Sequence, residues 1–195
     1  MPIDLDSYIQ QCAINVAPST MLAIVRVESG GNPWAIGLNQ GQRLRFPAQS
    51  LLQATAWVNY LEAHGYDFDV GLGQVNVRNV HKYGYKAQDM LEPCKNLWVA
   101  STILAKNYQG ALLRSLTPKE ALFKAISAYN TGNYNHGFTN GYVQRVIANA
   151  FSQQNLPLKV VKIKPADKMP VHYKSRVKVT PLKSVIYAEK KAKLH

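Results

Sequence analysis

Glu28 ends a largely apolar run, Met21 to Val27, and is followed at once by Ser29, Gly30, Gly31, Asn32 and Pro33. A carboxyl held against a hydrophobic face and then released into a Gly/Pro turn suits general-acid chemistry at the rim of a cleft. Burial disfavours the charged carboxylate, and the negative end of a helix dipole disfavours it again. Both effects push the pKa upward, and a carboxyl that keeps its proton near neutral pH can deliver it to a leaving-group oxygen. A Glu that bends into water at a helix end has the same sequence, so Glu28 needs partners to be read as catalytic.

Two clusters supply candidates. Gly71 Leu72 Gly73 Gln74 Val75 Asn76 sets two glycines around an apolar residue and then two amides. Such a loop lets backbone approach a ligand while side-chain amides bond its polar groups, although an ordinary turn reads alike. Ala128 Tyr129 Asn130 Thr131 Gly132 places an aromatic hydroxyl and an amide ahead of a helix-stopping glycine. Tyr129 also falls on an apolar stripe, as a core tyrosine would.

The elements that must carry these residues read mainly as helices. Pro18, Ser19 and Thr20 offer a helix start with a hydroxyl cap, and residues 21, 24, 25 and 28 share one face at the helical period. Pro47 to His64 reads as a helix with Pro at its start and Gly65 after it, and Leu97 to Tyr108 as another. Thr117 Pro118 Lys119 Glu120 combines a capping box with Pro at the first position, ahead of Leu122, Ala125, Ile126 and Tyr129. Gly141 to Ala150 gives a last helix. Tyr66 to Asn76 is expected to hold a short β-ribbon or an extended loop.

The chain has 195 residues and a formal charge of +12. Residues 1–155 hold 12 Lys/Arg and 9 Asp/Glu, whereas residues 156–195 hold 11 and 2, so the basicity belongs to the tail. Pro157, Pro165, Pro170 and Pro181 punctuate that tail, which sets a boundary near Leu156. Val171, Tyr173, Val177 and Val179 alternate with His172, Lys174, Arg176 and Lys178, a strand pattern inside a segment that otherwise reads as a solvated basic arm. Tyr173 and Tyr187 are its only aromatics and no nucleic-acid motif is present, so nucleic acid is not an expected partner. A segment that adds a strand to a partner or docks on an acidic surface fits the charge, as does binding to anionic wall polymers or lipid headgroups.

No stretch approaches the about 20 apolar residues of a membrane span. Met1 to Thr20 contains Asp4 and Asp6 and lacks an apolar core, so it does not read as a secretory leader. Cys12 and Cys94 are the only cysteines. They form one disulfide in an oxidising compartment, or they are two small buried thiols. The five histidines, His64, His81, His136, His172 and His195, lack ligand spacing, so no metal and no cofactor are expected.

In this order, Glu28 Ser29, then Gly71 Leu72 Gly73 Gln74, then Ala128 Tyr129 Asn130 Thr131 Gly132 resemble the soluble lytic transglycosylase family, whose fold is that of goose-type lysozyme. The Glu28 to Pro33 run, Val75 Asn76, Glu92 Pro93 Cys94 Lys95 Asn96 Leu97 and Tyr142 Val143 Gln144 Arg145 Val146 look most like the branch associated with type IV secretion and conjugation. The resemblance covers residues 12 to about 150 and implies a mainly α, lysozyme-like catalytic domain over residues 1–155, with residues 156–195 as a partner-binding or disordered tail. It also implies cleavage of the β-1,4 bond between N-acetylmuramic acid and N-acetylglucosamine in peptidoglycan, in the periplasm, with closure of a 1,6-anhydro ring.

In that reading Glu28 is acid and then base. Ser29, Gln74 and Asn76 contact sugar, Tyr129 bonds Glu28 or the acetamido group, Asn130 lines the same subsite, and Tyr142 contacts wall or substrate. The cleft is expected between the Glu28 helix and the Gly71 to Asn76 loop. Goose-type lysozymes carry an aspartate where this chain has Asn76, and an amide is no base at neutral pH, which favours the anhydro product. Asp67 and Asp69 nearby leave a lysozyme-type hydrolase open. Gly73, where many relatives carry Met, is expected to open space beside the sugar. The alternative class is a wall-binding assembly factor that recruits secretion components through its tail.

Overall fold

The computed structural model describes residues 4–151. The tail, residues 156–195 with its strand pattern and its two histidines, lies outside the described residues. The order of elements is α1 (Leu5–Cys12), α2 (Pro18–Ser29), β1 (Ile36–Leu38), α3 (Leu51–Ala63), β2 (Phe68–Val70), β3 (Val75–Asn76), α4 (Val77–Lys82), a 3₁₀ turn (Ala87–Leu91), α5 (Pro93–Leu112), α6 (Pro118–Thr131), α7 (His136–Thr139) and α8 (Tyr142–Phe151). The fold is mainly α with one small sheet, as the sequence leads one to expect.

The longest helix, α5, is the axis. Leu97, Trp98, Val99, Ala100, Leu104 and Ala105 are all buried, and the first half of the helix is enclosed on every side by α1, α6 and the sheet. A helix apolar all round belongs in a core. Its start is held twice. The Glu92 carboxylate accepts from the Cys94 and Lys95 N–H groups at 3.0 Å each, and Pro93 takes the first helical position, where no N–H is needed. Cys94 is bonded to Cys12 at the end of α1, with Cα atoms 5.1 Å apart, which decides between the disulfide and two free thiols.

Three of the helices, α2, α5 and α6, start at a proline, and α3 starts behind a capping serine instead. α3 begins at Leu51, later than Pro47, because Ser50 Oγ accepts from the Gln53 N–H at 3.3 Å. α2 begins at Pro18 behind Ala17, with no side-chain cap, so the expected hydroxyl cap is not used. α6 starts as read: Thr117 Oγ1 accepts from Glu120 N–H at 3.1 Å, while the Glu120 carboxylate reaches back to the Leu116 N–H at 2.9 Å. α5 outruns Leu97 to Tyr108 at both ends.

The sheet has order β1-β2-β3, antiparallel throughout. Tyr66 to Asn76 supplies β2 and β3. β1 is an addition that sequence reasoning did not include, since Ile36 Gly37 Leu38 is too short and too Gly-broken to show a period. In β2, Phe68 and Val70 are buried, so alternation turns Asp69 to the other face, opposite Gly37 and Asn76.

One buried amide hangs this sheet and its loop on α5. Asn96 has no exposed surface, and its Oδ1 accepts from the Gly73 N–H at 2.7 Å. Its Nδ2 donates to Val70 O at 2.8 Å and Met90 O at 3.0 Å. Gly71, at φ +78°, passes so close that a Cβ there would collide with Asn96 Nδ2 and Met90 O. Removing the amide strips buried backbone groups of partners, at about 1–3 kcal/mol each. Asn96→Ala is therefore expected to lower unfolding free energy by about 3 kcal/mol or more in urea titration, and a loss under 1 kcal/mol would show that the loop is held by other contacts.

Candidate active site

Glu28 occupies the last turn of α2, on the face that buries Met21, Ile24 and Val25, and is itself partly buried. α2 stops two residues later because Gly30 takes the left-handed conformation at φ +62°. Burial pushes the Glu28 carboxyl up to about 7, and the nearby charge of Asp69 adds to the rise; the Tyr142 hydrogen bond and Arg145 oppose it. Tyr142 Oη donates to Glu28 Oε1 at 2.5 Å across the α2–α8 contact. The same surroundings raise the Tyr142 phenol well above its ordinary value, burial first and then the Glu28 charge, so its hydroxyl remains a proton donor.

The hydroxyl on Glu28 is thus that of Tyr142, where Tyr129 was expected to bond either Glu28 or the acetamido group. Tyr129 Oη instead donates to Gly73 O at 2.6 Å and holds the loop. A Cβ at Gly73 would stand 2.7 Å from Ala100 Cβ and 2.9 Å from Tyr129 Oη, so Gly73 leaves no space beside a sugar; that space is filled by the α5 and α6 side chains. Ser29 Oγ donates to Leu72 O at 2.8 Å and accepts from the Gly31 N–H at 3.2 Å. The end of α2 and the loop are therefore bonded together, and the cleft does not pass between them at this point.

Gln74 has φ +46°, uncommon for a residue with a side chain. Its Nε2 donates to Gly71 O at 2.9 Å and Ala35 O at 3.1 Å. Its Oε1 sits over Gly37, 2.6 Å from where a Cβ would be. Asn76 Oδ1 caps α4 by accepting from the Arg78 N–H at 3.0 Å, while its Nδ2 donates to Asp69 at 2.8 Å and Asp67 at 2.9 Å. Asp67 is also paired with Arg78 at 3.2 Å. Asn130 is exposed, and its Oδ1 accepts from Asn140 Nδ2 at 3.1 Å.

Asp69 thereby emerges as a site residue to which sequence reasoning gave no definite role. Burial raises its carboxyl, against the pull of its bonds to Asn76 and Asn39. The signal that locates it is the alternation of β2, which is readable only once the strand is known. Among the described residues no group of three or more His, Cys, Asp or Glu could hold a metal ion, and no helix is long and apolar enough to cross a membrane. A groove of about 370 Å³ is lined by the 32–48 segment, and Glu28, Tyr129 and Tyr142 do not line it.

The model of the transglycosylase SLT domain family matches residues 8–152, which contain every one of these groups. The chain belongs to that family. It is 44% identical over 147 residues to the type IV secretion system protein virB1 of Brucella suis, covering 72% of this chain and 61% of that protein. It is 41% identical over 145 residues to protein virB1 of Agrobacterium fabrum, covering 73% and 58%. The chain thus spans about three-fifths of the length of these relatives. No solved structure gives a significant match.

Within this SLT domain, the Tyr142 bond favours the charged form of Glu28, so its removal has a definite sign. Tyr142→Phe should move the Glu28 midpoint further above about 7, read by carboxyl NMR or infrared titration. An unmoved or lowered midpoint would take Tyr142 out of the control of Glu28.

Proposed function

We propose that this chain is a peptidoglycan lytic transglycosylase that acts in the periplasm, cleaving the β-1,4 bond between N-acetylmuramic acid and N-acetylglucosamine and opening the wall for a type IV secretion or conjugation apparatus. The observation that carries the reading is Glu28, a carboxyl raised to about 7 and held by Tyr142 in an SLT domain. Similarity to virB1 proteins supports the secretion context.

In this mechanism protonated Glu28 gives its proton to the glycosidic oxygen as the C1–O bond breaks. The carboxylate left behind is stabilised by the Tyr142 hydroxyl. It then takes the proton of the muramoyl 6-hydroxyl while O6 bonds to C1, which closes the anhydro ring and restores the acid. A hydroxyl already held on the sugar acts at high effective molarity, so no second carboxylate is needed to activate water. The Asp69 charge that hinders ionisation of Glu28 favours the cationic character developing at C1. We assign sugar contact to Gln74 Oε1 and Asn130. Ser29, Asn76, Tyr129 and Tyr142 act by positioning, because their polar atoms already bond the loop, its acids or Glu28.

Asp69 also favours a specific second reading, in which it holds a water and the product is a reducing end, as in a lysozyme. Digestion of purified sacculi with mass analysis of the fragments separates the two. Anhydromuramoyl ends are expected; reducing muramic acid ends would assign a hydrolase, and intact sacculi would overturn the activity altogether. Glu28→Gln should lower turnover by about a thousandfold while sugar binding persists.

We assign residues 1–155 to cleavage and residues 156–195 to docking on secretion components through their charge, the part an assembly factor would use. Truncation after residue 155 should leave cleavage of sacculi unchanged and impair secretion or transfer in cells. A truncated chain that supports normal transfer would remove the tail from assembly.

A further inference from the structure

The turn between α5 and α6 carries apolar surface that no described element covers. Leu112, Leu113 and Leu116 are 44%, 85% and 97% exposed. A single exposed leucine is ordinary, but a cluster of them on one turn calls for a partner. They are not left outside by slack in the chain. The Arg114 N–H donates to Ala111 O at 2.9 Å, and the Leu116 N–H donates to the Glu120 carboxylate at 2.9 Å. Lys124 Nζ donates to Arg114 O at 2.6 Å, and Thr117 caps α6. The backbone around Leu113 and Leu116 is thus fixed, and it holds the two side chains outward.

The charge around this tip has one sign. Arg114 and Lys119 are exposed, while Glu120, the one carboxylate of the 112–124 segment, is paired with Lys124 at 2.7 Å. The Arg114 guanidinium lies over the Tyr134 ring and the Lys119 ammonium over Phe123, at 5.6 and 5.8 Å from the centroids. Both cations are therefore laid on rings of the domain, whereas Leu113 and Leu116 project. A tip of a few leucines is small against the roughly 800 Å² per partner of a stable protein interface. A bilayer needs no complementary shape: leucines enter the acyl boundary, and Lys and Arg meet anionic headgroups. The chain's own tail is a poor occupant, since residues 156–195, with 11 Lys/Arg against 2 Asp/Glu, repeat the charge of the tip. The site loop lies elsewhere: Tyr129, which bonds Gly73 O, is about 16 Å along α6 from Pro118.

We propose that the α5–α6 turn is a membrane-docking tip, in which Leu113 and Leu116 insert into an anionic phospholipid bilayer while Arg114 and Lys119 contact its phosphates. The domain is then held by the end of α6 that is farther from the site loop, so docking leaves that loop clear of the bilayer surface.

The basic tail attracts anionic vesicles as well, so the test isolates the apolar contribution. Binding of the full chain to vesicles of phosphatidylglycerol and phosphatidylethanolamine is measured by co-sedimentation at rising NaCl, beside vesicles of phosphatidylcholine alone. The wild type should bind the anionic vesicles more tightly than the neutral ones. Leu113→Ser combined with Leu116→Ser should bind about thirtyfold more weakly, because leucine burial drives insertion. That ratio should hold as salt rises, since only the charged contribution is screened. Leu113→Phe combined with Leu116→Phe should bind as the wild type does. The replaced side chains are exposed, so both pairs should keep the wild-type urea midpoint. Equal binding by the serine pair and the wild type would overturn the tip, as would wild-type binding that is equal on neutral vesicles or absent from both. Unchanged vesicle affinity of the serine pair together with impaired transfer in cells would assign these leucines to a protein partner and overturn membrane docking.

Discussion

The Asn96 carboxamide is the constraint on which the site depends. It is a polar group in the first turn of the most enclosed helix, and burying it is tolerable only because each of its hydrogen-bonding groups has a partner. Those partners are backbone atoms of the Gly71 to Gln74 loop, the strand before it and the 3₁₀ turn. A satisfied buried amide is directional where apolar packing is not, so it sets the register of the loop against α5. Ser29 from α2 and Tyr129 from α6 then bond the same loop at Leu72 O and Gly73 O. Three helices converge on four residues, and the loop's shape follows from them.

That rigidity serves one electrostatic end. A carboxyl raised to about 7 is held in an environment unfavourable to its charge. Its pKa in the folded state exceeds that of the unfolded chain, so the fold retains the proton where the unfolded chain has lost it. The associated stability is complete below about 4.5 and falls as pH rises through about 7. The whole interval corresponds to about 3 kcal/mol. The Tyr142 bond moderates the cost by stabilising the carboxylate, which is the form the second half of the proposed reaction uses.

Much of the fold was legible in the chain. Glu28 stands on a helix face with Met21, Ile24 and Val25 because a period of 3.6 puts it there, and Gly30 ends that helix because a left-handed residue is needed. Thr117 and Pro118 start α6 for local reasons that need no tertiary context. Where the reading slipped, a longer-range or competing contact had won. Ser50 outbid Pro47 as a start signal, and Glu92 with the disulfide pulled the beginning of α5 forward. β1 is held by its pairing with β2, which its three residues do not announce.

The site divides along the same line. Residue types and local spacing determine which groups are available: one acid at a helix end, a Gly-rich loop with amides, and tyrosines on α6 and α8. They do not determine which tyrosine meets the acid, because both hydroxyls lie on helices whose relative placement is a matter of packing. Tertiary structure assigns Tyr142 to Glu28 and Tyr129 to Gly73, bonds Asn76 to Asp67 and Asp69, and brings Asp69 within electrostatic reach of Glu28. These are contacts between groups tens of residues apart in the chain, and a hydrogen bond depends on distances of a few tenths of an ångström, a precision that only the closed core supplies.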